Sequence, residues 1–307
     1  MRIDIGHVTD LGQQKKRNED NYGIYKEDAS GIKLFTEGAL LCVADGLGGH
    51  MGGEIASKLA ISVFKDMLKS PPLPPSEDPV EMNRQMEALL GEFVGLANDN
   101  IYQTNVELVK NGRPMGTTLL AALVLPAKVH IVNIGDSRCY LIREGQIADR
   151  TEDHSWVDEQ VKLGLMSKEQ AETDRRRNLL TRSLGTHPTV TSDKYHWSIL
   201  PGDVLLLCTD GLVNMVEDAD ICAEIKTGGT PMDIAQRLVD RANRNGGIDN
   251  ITVVLAHISP KPMVQAMNRV SSFLRKRGKF VVRVLLIAVF GLVCFGAGFL
   301  LRPILAK

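Results

Sequence analysis

Cysteine is sparse and unpaired in this chain. Cys42, Cys139, Cys208, Cys222 and Cys294 share no disulfide-framework or zinc-site spacing, and several sit inside apolar strand-like runs, so they read as buried reduced thiols. The seven histidines include no pair four residues apart, which removes the common helix-borne zinc site. There is no Gly-x-Ser-x-Gly nucleophile turn and no Gly-x4-Gly-Lys phosphate loop. The glycine run Gly46–Gly53 is no dinucleotide fingerprint, because Met51 stands where the third glycine is needed and Asp45 where pyrophosphate would lie. Met1–Asp10 is polar and alternating, unlike a secretory leader. Acidic residues are missing altogether after position 250. Nine of the 36 basic residues fall from Lys261 onward, leaving 27 against 37 acidic ones before it, a formal charge of −10. An acidic body with a basic tail argues against nucleic-acid binding.

The tail holds the one long apolar run. Phe280–Leu301 is 22 residues with a single charge, Arg283, near its start, long enough to cross a bilayer as a helix. Arg275, Lys276, Arg277 and Lys279 precede it, and only Arg302 and Lys307 follow, so the charge bias predicts a single-pass inner-membrane protein with its large N-terminal part in the cytoplasm. The basic cluster should also be drawn to anionic headgroups of the bilayer. The expected organisation is a catalytic domain over 1–258, a basic juxtamembrane linker over 259–279, a transmembrane helix over 280–301 and a short extracytoplasmic tail over 302–307.

Within the body, residues 2–8 alternate as a strand, and 40–45 read as a buried strand. Ile55, Leu59, Val63 and Met67 recur every four residues and predict a helix with that stripe on the core; Met82, Met86, Leu89, Phe93, Leu96 and Ile101 mark a second, longer one. Ser70–Pro79 holds five prolines and reads as a connector. Short strands are expected at 119–125, 129–134, 139–142, 204–208 and 251–257, with a hairpin turn at Arg143–Gln146 and helices near 217–226 and 231–244. Residues 155–182 are polar and helix-prone. Without strict strand–helix alternation, this predicts an α+β fold: antiparallel sheets flanked by helices.

The informative feature is what terminates the apolar runs. Those at 40–44, 129–134 and 204–207 lead into Asp45–Gly46, Gly135–Asp136 and Asp210–Gly211, and Asp249–Asn250 opens the run at 251–255. A carboxylate at the tip of a buried strand is costly unless a cation meets it. Four such tips, with Glu19–Asp20 near the N-terminus, point to carboxylates converging on metal ions. Hard oxygen donors suit Mg²⁺ or Mn²⁺. Two such ions about 4 Å apart would acidify a shared water and neutralise charge developing on a phosphoryl or carbonyl group. Lys15, Lys16 and Arg17 could supply a cation for the substrate, or form a solvated basic loop.

The blocks Asp10-x-Gly12, Asn18–Glu19–Asp20, Ala44–Asp45–Gly46–Leu47–Gly48–Gly49–His50, Gly116–Thr117–Thr118, Gly135–Asp136–Ser137–Arg138, Thr209–Asp210–Gly211–Leu212 and Asp249–Asn250–Ile251–Thr252 occur in the order and spacing of a known family. Over residues 1–258 the chain resembles the bacterial type 2C, metal-dependent Ser/Thr protein phosphatases (PPM). The resemblance implies a β-sandwich between helices, a two-ion Mn²⁺ or Mg²⁺ centre with a third ion in bacterial members, and hydrolysis of phosphoserine and phosphothreonine in phosphoproteins without a covalent intermediate. By motif, Asp45 would bridge both ions and the Gly46 carbonyl would ligate one. Asp210 and Asp249 would hold the other, Glu19 and Asp20 would act through water, and Asp136 would take the third. Residues 153–185 match the variable flap, where substrate preference is expected to reside. Two positions depart from the family. Lys15 stands where a phosphate-gripping arginine is usual, so that either Arg17 compensates or phosphate binding is weaker, and Leu47 stands where animal members carry a histidine, so no general acid is assigned. A binding protein that captures phosphopeptides and a hydrolase of small phosphoesters are alternatives to an active phosphoprotein phosphatase. A membrane-anchored enzyme would oppose a Ser/Thr kinase.

Overall fold

The structure is a computed structural model that describes residues 1–26, 38–48, 51–68, 76, 78–109 and 113–260. The basic linker from 261, the apolar segment 280–301, the tail 302–307, His50 and most of the proline-rich connector lie outside the described residues. Met1–Ser259 is one compact unit. Among the described residues, no helix is long and apolar enough to cross a membrane.

The elements in chain order are β1 (Arg2–Asp10), β2 (Asn21–Lys26), β3 (Ala39–Ala44), β4 (Gly46–Leu47), α1 (Gly52–Met67), α2 (Pro79–Leu108), β5 (Gly116–Thr117), β6 (Leu119–Leu125), β7 (Lys128–Ile134), β8 (Arg138–Arg143), β9 (Gln146–Arg150), α3 (Trp156–Lys162), α4 (Lys168–Thr173), β10 (Asp193–Ser198), β11 (Val204–Cys208), α5 (Asp210–Val213), α6 (Asp218–Lys226), α7 (Pro231–Arg244) and β12 (Ile251–Ser259). Two five-stranded antiparallel sheets form, β1-β12-β11-β8-β9 and β10-β7-β6-β3-β2, with a small β4-β5 pair. Leu41, Val43, Leu120, Ala122, Ile131, Leu141, Leu205, Leu207, Val254 and Ala256 fill the space between the sheets. The outer face of one sheet is covered by α1 and α2 through Ala56, Ala60, Phe64, Leu90 and Phe93, and that of the other by α5–α7 through Leu212, Ile221, Ile234, Leu238 and Val239. The layers are therefore helix, sheet, sheet, helix, as the α+β reading expects.

The central strands are apolar on both faces because both faces are covered. β3, β6 and β11 are buried at every position. The hairpin expected at Arg143–Gln146 is present, with Glu144 and Gly145 both left-handed at φ +51° and +72°, the geometry that matches strand twist in a two-residue turn. The α1 stripe is borne out in part: Val63 is buried and Leu59 packs against the core, but Ile55 is 38% exposed, and Ala56, Ala60 and Phe64 take the rest of the buried face. A strict four-residue row rotates away from a fixed face at 3.6 residues per turn, and the two alanines let the helix sit close to the sheet. Leu96 on α2 is likewise exposed, with Leu90, Val94 and Ala97 taking the buried positions. Residues 155–182 hold only the short helices α3 and α4, each with a serine N-cap, Ser155 and Ser167.

Strand direction decides what meets at the end of the sandwich. β3 and β7 each pair antiparallel with β6, so their C-termini share one end of that sheet. β11 and β12 pair antiparallel, with Cys208 opposite Val253, which puts the end of β11 beside the start of β12. The tips carrying Asp45, Asp136, Asp210 and Asp249 are thereby assembled from two sheets.

Candidate metal centre

Carboxylate oxygens of Asp45, Asp136 and Asp210 lie within 4.8 Å of one another. Burial, and then repulsion from Asp20, Asp210, Asp136 and Asp249, push the Asp45 carboxyl well above its ordinary range. Asp136 is raised in the same way, by burial and then by Asp210 and Asp153. Asp210 is pushed up to about 6 by burial and the neighbouring Asp249. Its Oδ2 accepts from Asn214 Nδ2 at 3.0 Å, but its buried Oδ1 has no hydrogen-bond partner. An acceptor-only oxygen left unpaired among like charges calls for a cation. The all-oxygen donor set fits Mg²⁺ or Mn²⁺ and not zinc.

The other expected residues sit around this cluster. Asp20 Oδ2 accepts from Thr209 Oγ1 at 2.8 Å and Thr252 Oγ1 at 2.7 Å; burial nevertheless lifts its pKa to about 7, with Asp210 and Asp249 adding to the rise. Glu19 is raised by burial, offset in part by Lys15. Gly46 is buried against its neighbours: a Cβ there would lie 2.3 Å from the Gly53 carbonyl oxygen, and one on Gly53 would lie 2.7 Å from the Gly46 oxygen and 3.0 Å from Glu19 Cδ. The Gly46 carbonyl and the Glu19 carboxyl thus share a space that only glycine leaves open. Asp249 stands outside the three-aspartate knot. Its Oδ1 is 2.5 Å from Lys15 Nζ, with the lysine side chain 40% exposed. Burial works against the Lys15 charge, but the bond to Asp249 and the fields of Asp45 and Glu19 hold its pKa above the usual value. Arg17 is exposed, near enough for its charge to lower the pKa of Glu19 and Glu54.

Several further residues build the centre without themselves being expected ligands, and most of them carry no charge. Thr118 Oγ1 accepts from the Asp45 backbone N–H at 2.9 Å and shares a 2.8 Å hydrogen bond with Ser137 Oγ, tying the Asp45 tip to the Asp136 turn. Asn250 Oδ1 accepts from the Glu19 N–H at 2.8 Å, while its Nδ2 donates to the carbonyls of Leu11 and Arg17 at 2.9 Å, so one amide shapes the loop that carries Lys15. Arg138 donates to both carboxylate oxygens of Asp153, at 2.7 Å through its Nη2, pinning the entry to the flap. These positions lie in or beside the motif blocks; their block membership was the only available signal.

A family model described as Protein phosphatase 2C matches residues 17–247. The serine/threonine phosphatase stp of Listeria innocua is 36% identical over 249 residues, covering 80% of this chain and 92% of its own length. The crystal structure of serine/threonine phosphatase Stp1 from Staphylococcus aureus superposes with a TM-score of 0.74 at 33% identity, covering 85% of this chain and 96% of that one. The catalytic domain of the protein phosphatase PstP, solved in complex with two manganese ions, gives a TM-score of 0.68 at 31% identity, over 84% of this chain and 99% of its own. The chain therefore belongs to the protein phosphatase 2C family, and it is a serine/threonine phosphatase of that type.

Proposed function

We propose that Asp45, the Gly46 carbonyl, Asp210 and Asp249 hold two divalent cations, that Asp136 with Asp210 provides for a third, and that the chain hydrolyses phosphoserine and phosphothreonine esters of proteins directly with water. The observation that carries this reading is the acidic knot itself: three aspartates within 4.8 Å, one of them with a buried oxygen that nothing donates to. Bound cations would supply an acidified water and shield the phosphoryl oxygens.

The chain's own groups do the rest. Thr209 and Thr252 hold Asp20 beside Asp210. The paired threonines Thr117 and Thr118 fix the Asp45 tip, Thr117 Oγ1 donating to the Asp45 carbonyl at 2.8 Å. Lys15, half-exposed at the lip and paired with Asp249, would meet the non-reacting oxygens of a phosphate, and Arg17 two residues on would add to the positive field there. A lysine there offers a point charge without the two-pronged grip of an arginine.

The anchor belongs to the same proposal. The apolar run 280–301 would hold the enzyme at the inner face of the membrane, with Arg275, Lys276, Arg277 and Lys279 against anionic lipid. Its phosphoprotein substrates would then be those of a Ser/Thr kinase working at that surface. Fractionation tests the anchor: full chain found wholly in the soluble fraction overturns it. The chemistry is tested by phosphothreonine-peptide hydrolysis in Mn²⁺. Asp45→Asn should remove nearly all turnover, and activity that persists in excess chelator refutes the metal reading.

A further inference from the structure

His154 touches none of the clustered aspartates, yet it is only 2% exposed and joins the turn that carries Asp136 to both ends of the flap. Its Nδ1 accepts from the Gly135 backbone N–H at 3.1 Å, and its own backbone N–H donates to the Gly135 carbonyl at 3.0 Å. Gly135 is held at φ +103°, and a Cβ there would lie 2.5 Å from Thr118 Cγ2. This peptide has no freedom to drift, and Asp136 follows it directly. On the other side of the ring, Nε2 is 3.2 Å from Asp193 Oδ2, while Arg182 Nη1 reaches the second oxygen of Asp193 at 2.5 Å. The His154 carbonyl accepts from the Thr181 N–H at 2.9 Å, and the Trp156 N–H donates to the Leu179 carbonyl at 2.8 Å, which closes the base of the flap. A ring nitrogen that accepts from an N–H carries no proton, so the imidazole proton sits on Nε2 and points at Asp193.

We infer that His154 is a positioning residue that fixes the peptide carrying Asp136 and so makes cation binding at Asp136 depend on the seating of the flap. The inference rests on the proposed role of Asp136 as a cation ligand. Second-layer groups of this kind commonly set metal affinity by orienting the ligands they support. The coupling is reciprocal: a cation bound at Asp136 steadies the flap by the same free energy with which the flap steadies the cation. The flap carries its own reporter, since Arg175, Arg176 and Arg177 are exposed between α4 and the flap exit and form a ready tryptic site.

The experiment is Mn²⁺ titration by calorimetry on the full chain in detergent, for wild type, His154→Leu and His154→Asn. Tryptic cleavage at 175–177 is followed in parallel by mass spectrometry. His154→Leu is expected to weaken the weakest class of Mn²⁺ sites by about 10- to 100-fold, with the tighter sites unchanged. Mn²⁺ is expected to slow cleavage of the flap in wild type and not in His154→Leu. His154→Asn keeps an acceptor where Nδ1 stood and should recover most of the affinity, which a side chain that merely fills space would not do. Equal Mn²⁺ binding in all classes for His154→Leu and wild type overturns the positioning role. A uniform loss across every class, unrepaired by His154→Asn, also overturns it, marking general damage to the fold. Wild type that binds no Mn²⁺ sinks the metal reading first, and this inference with it.

Discussion

Removing a ligand should make the metal-free enzyme more stable. Asp210 is ionised at neutral pH only at a cost, because burial and Asp249 raise its carboxyl to about 6 in the fold. A carboxyl raised by folding contributes stability that is complete below its unfolded value and lost as pH climbs through the folded one. The gap from the ordinary carboxylate value amounts to about 3 kcal/mol, at about 1.4 kcal/mol per tenfold change in proton affinity. Burial is the larger part of this cost and repulsion from Asp249 the smaller, and because Asp45 and Asp136 feel the Asp210 charge in turn, the carboxylates titrate together and a single substitution should recover only about 1–2 kcal/mol. Asp210→Asn keeps an oxygen for the Asn214 amide and removes the charge. In chelator at pH 7.5, its melting temperature should exceed wild type by about 2–8 °C, the range expected for a domain of this size. The advantage should shrink at pH 5, where the wild-type carboxyl is protonated. Saturating Mn²⁺ should reverse the order, because ligand binding stabilises in proportion to affinity and the variant binds less tightly. Calorimetric melting of both proteins in chelator and in Mn²⁺ makes the comparison. A variant that melts below wild type in chelator at pH 7.5 would refute the claim that these carboxylates strain the empty site.

Three further outcomes follow from the same geometry. Metal-free wild type should lose stability as pH rises from about 4 to about 7, the span between the ordinary carboxylate value and the raised values of Asp20 and Asp210 in the fold; Mn²⁺ should flatten that slope, and a metal-free melting temperature that rises across this window contradicts it. Gly53→Ala places a methyl 2.7 Å from the Gly46 carbonyl oxygen, so it should lower Mn²⁺ affinity about tenfold or more by displacing a ligand-bearing peptide, and calorimetric titration matching wild type would count against that carbonyl. Lys15→Ala should raise KM for a phosphothreonine peptide far more than it lowers kcat, the signature of lost ground-state binding; an unchanged KM removes Lys15 from the phosphate site.

The legible part of this molecule was its interior. β3, β6, β7, β11 and β12 lie inside their sheets, so their positions are apolar and their sequences stand out. The strands without a marked hydrophobic run, β2, β4, β5, β9 and β10, all lie at sheet edges. Asp193–Ser198 alternates between half-buried and exposed, and a half-solvated edge carries little hydrophobic signal. The aspartates of the centre were legible for a related reason: a charge at the end of a buried run is expensive and conspicuous. Their supports were not. Asn250 reaches Glu19 across 231 positions and Thr252 reaches Asp20 across 232, and a neutral side chain whose partner is that distant shows no local pattern. The Lys15–Asp249 pair is charged, but 234 positions separate its members, so no local pattern joins them.

The account stands on cations occupying the space between Asp45 and Asp210. Diffraction from crystals of the protein grown in Mn²⁺, with data collected at the manganese absorption edge, tests it most directly. The expected result is two or more anomalous peaks at coordination distance from the oxygens of Asp45, Asp210 and Asp249, with Lys15 displaced from Asp249. Carboxylates in the arrangement described above with no anomalous density among them would contradict it.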